Sequence, residues 1–330
     1  MSTDLQYKYV TGFDRNIRRT TEVKGGKLRS KVRLATGDLY REEGVYELMS
    51  GGGLPTKKTN RFGDSPVSES DYTRRRVTRA DYEDGQFMDE SDIIRMATDI
   101  KAEKLDVMLQ KFKRNEDIIL QQALLGSARG GDDGETATAF DTGNIVDVTL
   151  GAASGFTNAG FTYEKLVATI TQFGNNNVDI EMMTPTIVIS WDQLNDMMQD
   201  EKFINFDYSR VGAVDRKMGL TIPNYLGCDF LVTNILPYMA DATTFNVADI
   251  DITTATGTWA DTDSTDIRAA MAFVQDAALL EINPDIKTNV AQRSDKSFNW
   301  YAYVMMSLGA VRMEEEKVVA IPCDQSPAAA

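Results

Sequence analysis

Apolar and polar positions change character several times along this chain. Residues 1–50 show no helical period. They hold single aromatics (Tyr7, Tyr9, Phe13) and short strand-like pieces such as Lys31-Val32-Arg33-Leu34, too sparse to build a core, so they are expected to form an extended arm lying on another surface. GGGLPTKKTNRFGDSPVSES (51–70) is dense in Gly, Pro, Ser and Asn and reads as a loop tip. Its flanks, 27–50 and 71–88, read as strands, which predicts a long β-ribbon. From Asp89 neither Pro nor Gly occurs until Gly126. Asp89, Glu90 and Asp92 suit a first helical turn, and Ile93, Ala97, Ile100, Leu105, Met108, Phe112, Ile119 and Ala123 trace a near-helical stripe. The pattern predicts one helix of about 35 residues, on the order of 50 Å long, stopped by Gly126.

The remainder predicts an α/β section. Residues 127–144 read as a flexible glycine-rich connector; Arg129–Gly134 lacks both the Gly-Lys-Ser/Thr end of a phosphate loop and the twelfth-position Glu of a calcium loop. Thr162 reads as an N-cap with Phe161 and Leu166 as its staple, and Ser190 with Gln193 as a capping box with Ile189 and Leu194. Thr186–Ile189 reads as a buried strand and Asn175–Asn177 as a turn. Residues 220–237 read as two strands around an Asn224–Gly227 turn. A last helix is expected over Ile267–Glu281, ahead of Pro284, then a strand-rich tail (298–322) turning near Met313–Glu316. The paired methionines sit beside apolar residues and read as core filler.

Composition narrows the chemistry. With 42% hydrophobic and 26% charged residues the 330-residue chain is globular. No apolar run reaches transmembrane length. The N-terminus lacks a signal-peptide core, so a cytosol-like compartment is expected. Cys228 and Cys323 read as buried thiols without metal-ligand spacing. Histidine is absent, which removes Ser-His and Cys-His nucleophiles and His-containing metal sites. An acidic run (Asp249, Asp251, Asp261, Asp263, Asp266) leaves a carboxylate- or metal-dependent enzyme as an alternative, but nothing forces those carboxylates together, and a solvated face is the plainer reading.

Charge is unevenly spread. Residues 1–80 hold 17 Lys and Arg against 10 Asp and Glu, and residues 81–330 hold 18 against 40. Arg74, Arg75, Arg76 and Arg79 crowd one end of the second ribbon strand. In an extended strand Arg74 and Arg76 face one side, Arg75 and Arg79 the other. A nucleic-acid platform would gather its cations on one face with stacking aromatics; two cationic faces suit a ribbon held between protein surfaces. An acidic surface on another copy of the chain is the expected counterpart.

This order of elements resembles the major capsid protein of tailed double-stranded DNA bacteriophages, the Hong Kong 97-type fold. Four stretches carry it: RRRVTRADYEDGQFMDESDIIRMATDIKAEKLDVML, TPTIVISWDQLNDMMQD, LTIPNYLGCDFLVTNILP and YAYVMMSLGAVRMEEEKVVAI. The resemblance implies an α+β fold with an N-terminal arm (1–38), an extended β-ribbon loop (39–88), a peripheral domain with a long spine helix (89–145 and 290–330) and an apical α/β domain (146–289). It implies no active site and no cofactor. Copies would assemble as hexamers and pentamers into an icosahedral shell around the genome, in the host cytoplasm, without membrane. Portal and possibly scaffold or decoration proteins would be partners, and DNA would be met non-specifically. An encapsulin-like bacterial shell is a related alternative. The chain starts directly with the arm, so a separate scaffold or none is expected. Some families of this fold crosslink a ribbon lysine to an asparagine, and Lys57 and Lys58 qualify by position. Arg74, Arg75, Arg76, Arg79, Lys57 and Lys58 are the expected inter-subunit contacts.

Overall fold

A computed structural model describes residues 25–35, 43–49, 54–55, 57–59, 61, 67, 69–89, 100–152, 158–204, 225–239 and 267–325. Its longest helix, α1 (Ile100–Leu125), has 26 residues and spans about 39 Å. It stops at Gly126 as expected; the expected start, residues 90–99, lies outside the described residues. Met108, Phe112, Leu120 and Leu124 are fully buried, so toward the C-terminal end the stripe runs through Leu120 and Leu124, with Ala123 half-buried.

The described residues form three sheets. The strands are β1 (Arg33–Leu34), β2 (Glu43–Met49), β3 (Tyr72–Thr78), β4 (Ala80–Met88), β5 (Ala128–Gly130), β6 (Thr136–Thr138), β7 (Thr186–Ile189), β8 (Asp229–Val232), β9 (Ile267–Phe273), β10 (Ala278–Ile282), β11 (Lys287–Gln292), β12 (Trp300–Arg312) and β13 (Val318–Asp324). The first half of the 13-residue β12 lies between β11 and β4, its second half pairs with β10, and β1 adds to β10 in parallel. Helix α1 packs on one face of this sheet, burying Ala302, Val304, Met306 and Met88. The second sheet has the order β13-β9-β7-β8. Helices α2 (Tyr163–Asn175) and α3 (Trp191–Gln199) cover one of its faces through Leu166, Phe173, Leu194 and Met197, while Val188, Met271, Phe273 and Ala320 on the other face join the core around α1. The third sheet, β2-β3-β5-β6, forms the ribbon.

The local signals around α2 and α3 are realised. The Thr162 hydroxyl accepts from Lys165 N, and Ser190 with Gln193 forms a reciprocal capping box. Asn177 has φ 56° at the turn after α2. Lys165 is fully buried; its Nζ donates to Ala159 O and Pro322 O, both at 2.7 Å, tying α2 to β13, and burial lowers its pKa. Both cysteines are free and buried, and desolvation pushes each thiol to about 12. Among the described residues no helix is long and apolar enough to cross a membrane.

Two expectations are corrected. Ile267–Glu281 is not a helix but strand β9, a short 3-10 turn and strand β10. All seven residues of IRAAMAF are buried, because β9 is central and covered on both faces. Such a strand loses the alternation that marks strands, and its alanines imitate a helix former. The second correction concerns 127–144: it is not a flexible connector but carries the β5–β6 hairpin, which pairs with β3. Gly131 and Gly134, at φ 86° and 70°, supply the left-handed turn that L-residues resist. Of residues 220–237 the second strand is present as β8, behind a turn with Leu226 and Gly227 at positive φ; residues 220–224 lie outside the described residues, as does the acidic run 249–266.

Where the arm reaches the body it becomes a strap over α1. Asp117 accepts three backbone N–H bonds, from Gly26 (2.8 Å), Lys27 (3.3 Å) and Leu28 (3.1 Å). Lys31 pairs with Asp229 at 2.9 Å and Lys27 Nζ donates to Val232 O at 2.7 Å, so the strap also grips β8. Beneath it Glu116 is buried, 3.6 Å from Arg29, which also holds Asp285 at 3.0 Å. Burial raises the Glu116 carboxyl to about 7, with the Arg29 charge opposing. A carboxyl that keeps its proton longer in the folded state loses its stabilising contribution as pH rises through the folded value. Glu116→Gln is therefore expected to exceed the wild type at pH 8 by on the order of 2 kcal/mol, with the gap closing by pH 5. Urea midpoints at the two pH values check this; a gap independent of pH would contradict it.

Candidate functional site: the ribbon root

The four arginines sit where the ribbon joins the body, and their two faces have different surroundings. On the outer face Arg74 donates to Glu47 on β2 (3.3 and 3.2 Å), with both side chains about half exposed. Arg76 meets Glu43 (3.1 Å), Glu135 (3.2 Å) and Asp133 O (3.3 Å). These pairs follow from register, since Glu43, Val45 and Glu47 stand opposite Thr78, Arg76 and Arg74 across the antiparallel ladder. The Arg74–Glu47 pair is exposed and of modest energy, whereas Arg76 is partly buried, its side chain 20% exposed.

The inner face is buried. Arg75 Nε donates to Met313 O at 2.9 Å, and its Nη2 lies 3.3 Å from Glu315. Gly130 makes this reach possible: a Cβ there would come within 2.4 Å of Arg75 Nη1. Arg79 Nη1 donates to Asn283 O at 3.0 Å and its Nε lies 3.6 Å from the fully buried Glu281, which also accepts from Tyr46 Oη at 3.1 Å. Glu315 has a second partner, Arg312 Nε at 2.5 Å. Arg312 is fully buried. Its Nη1 donates to Leu124 O (2.8 Å) and Gly126 O (2.6 Å), and its guanidinium carbon lies 5.2 Å from the centre of the Phe140 ring. A cation thus closes the negative end of α1, and desolvation lowers its pKa against the pull of Glu315.

Strand parity placed two arginines on each side, as expected, and all four have partners within the same chain. Lys57 and Lys58 are exposed, near the far end of the ribbon. That end also exposes large apolar side chains: Leu54 (95%), Val67 (86%), Met49 (62%) and Tyr72 (61%). Sequence reasoning missed Glu281, Arg312 and Glu315. The available signal was a lone charge inside an apolar strand run, ALLEI for Glu281 and LGAVRM for Arg312; such a charge is buried only when paired. Among the described residues no group of three or more His, Cys, Asp or Glu side chains is placed to hold a metal.

The two faces should respond differently to truncation. Arg74→Ala is expected to cost less than about 1 kcal/mol. Arg79→Ala and Arg312→Ala strand a buried partner and should cost about 3–5 kcal/mol each. Denaturant melts of the three variants check this; equal losses would refute the division.

Comparison with known proteins agrees with this architecture. No curated protein sequence matches the chain. The capsid of the cyanophage P-SCSP1u superposes with a TM-score of 0.68 at 12% identity, covering 97% of this chain and 94% of the other. The capsid of Ralstonia phage GP4 gives 0.63 at 12%, covering 98% and 97%. The head structure of Helicobacter pylori bacteriophage KHP40 gives 0.61 at 10%, covering 99% of each. At such identities the likeness is one of fold, and it confirms the expected capsid-type α+β architecture. The sequence itself matches a family described as phage capsid protein over residues 5–325, nearly its whole length, and the chain belongs to that phage capsid protein family.

Proposed function

We infer that this chain works by assembly: as a major capsid protein it packs as hexamers and pentamers into the icosahedral shell that encloses a phage genome of double-stranded DNA, and it catalyses no reaction. The observation that carries this is the far end of the ribbon. A narrow ribbon that exposes Met49, Leu54, Val67 and Tyr72 has no core of its own, while its root is fastened by buried ion pairs. A projecting element with a fixed base and an apolar tip is built to land on another molecule. Family membership makes that molecule a second copy.

In this reading the strap and the arm before it, the ribbon, the region around α1 and β12 and the region around α2 and α3 act as arm, extended loop, peripheral domain and apical domain, with strand β13 shared into the sheet of the last. Lys57, Lys58 and the half-exposed Arg74 meet acidic surface on the neighbour. Arg75, Arg76 and Arg79 serve the same contact by fixing the angle at which the ribbon leaves its own subunit. The acidic balance of residues 81–330 limits adhesion to the packaged DNA, which is touched non-specifically. Portal, scaffold or decoration proteins would complete the particle, formed in the host cytoplasm. Nothing in the described residues favours the encapsulin-like or enzymatic alternatives.

Met49→Asp combined with Tyr72→Asp tests this reading. These side chains touch little of the chain's own core, so the subunit should melt within about 1 kcal/mol of the wild type, while negative-stain microscopy shows particles for the wild type and dispersed subunits for the variant. A wild-type chain that stays monomeric under all assembly conditions would sink the proposal.

A further inference from the structure

The strap that crosses α1 covers an uneven set of charges. Its residues Leu28 and Val32 are sunk into the core. Beneath it lie Glu116 and Asp117 of α1, and at its rim lies Asp285, in the loop between β10 and β11. Arg29 serves two of these carboxyls, 3.0 Å from Asp285 and 3.6 Å from Glu116. The strap's other cations are engaged on β8, where Lys27 donates to Val232 O and Lys31 pairs with Asp229. On α1 itself Lys113 is exposed and Arg114 is buried.

The two neighbouring carboxyls of α1 differ in what they receive. Asp117 accepts three backbone N–H bonds from the strap. Glu116, its side chain 2% exposed, finds no hydrogen-bond donor at Oε1. A buried carboxylate without donors is costly, so this group favours its neutral form. Burial raises it to about 7, with Arg29 opposing and the charges of Asp117 and Asp285 assisting. The covering strap is also free to lift. Gly25 lies so close to α1 that a Cβ would fall 2.3 Å from Arg114 N, and Gly26 adopts φ 78°. From Gly25 to Lys31 the backbone joins no strand; its first ladder is β1 on β10. Residues 25–31 can therefore leave the helix without breaking a sheet.

We propose that the strap is a proton-operated latch: residues 25–31 stay on α1 while Glu116 holds its proton, and lift off as far as β1 when alkaline solution removes it. Lifting brings Glu116 into water, where it ionises at no cost, and the proton released on opening makes the equilibrium depend on pH. A closed latch holds α1 to β8 through Asp117, Lys27 and Lys31. An open one removes that external tie, and the arm then leaves the body at β1 instead of at Gly25. The latch is a property of the single subunit, whatever assembly the subunit joins.

Native-state amide exchange on the full-length soluble chain tests this. After correction for intrinsic exchange rates, opening at Gly26, Lys27 and Leu28 should rise about tenfold from pH 6 to pH 8.5, as a carboxyl near 7 when covered and near its usual 4.5 when free requires. Because the opening is local, these amides should exchange at least about a hundredfold faster than those of β9. Glu116→Gln keeps the shape without the charge and should flatten the pH response to less than about twofold. Any slope left belongs to Asp117, whose carboxyl is raised by burial against its three backbone donors. A check that needs no variant is titration of 13C-labelled glutamates in the wild type, where one carboxyl should have its midpoint near neutrality. Four results would overturn the latch: opening that is flat or falls with pH, a Glu116→Gln response as steep as the wild type's, strap amides that exchange only with the core, or glutamates that all titrate in the usual range.

Discussion

The buried guanidinium of Arg312 sets the terms for the rest of the molecule. An ionised group fully removed from water is tolerable only when its donors are met by acceptors and its charge by an opposing one. Here the last carbonyls of α1 supply acceptors, Glu315 supplies the charge, and Phe140 supplies a ring face. Helix, tail and ribbon are therefore fixed by one side chain, since Glu315 in turn holds Arg75. Replacing the cluster with apolar residues need not unfold the chain, but it would remove polar links that set the geometric relation among these three elements.

A second constraint is the sharing of strands between regions distant in sequence. The β7–β8–β9–β13 sheet buries both its faces, one against α2 and α3 and the other against the core around α1. The strap repeats this logic from outside: residues 26–31 bond to Asp117 on the helix and to Asp229 and Val232 on β8. The two halves of the body are joined by core and by strap, while the ribbon root combines its ion pairs with a small apolar cluster of Val77, Ala128, Leu279, Val311 and Met313.

Much of this was legible in the sequence, for physical reasons. The caps at Thr162 and Ser190 are local interactions, and local chemistry writes itself into neighbouring residues. The parity of the arginines follows from the two-residue repeat of any strand. What was not legible depends on the surroundings. IRAAMAF reads as helix because burial on both faces erases alternation, and the β5–β6 hairpin reads as a connector because its partner, β3, lies about fifty residues earlier. The charges that fasten the ribbon root were missed because Glu281, Arg312 and Glu315 are brought to Arg75 and Arg79 by tertiary structure alone. The residues that a cluster of cations makes conspicuous were found, and the residues that give those cations their meaning were not.

Chain order adds a consequence in time. Strands β12 and β13 follow every element they pair with, and Met313 and Glu315 lie between them. During synthesis neither large sheet can close, and Arg75 has no inner-face partner, until this segment has left the ribosome. The ribbon therefore gains a defined direction only after its own subunit is finished. A half-made chain cannot point it at a neighbour, so folding is placed before association by the sequence of translation alone.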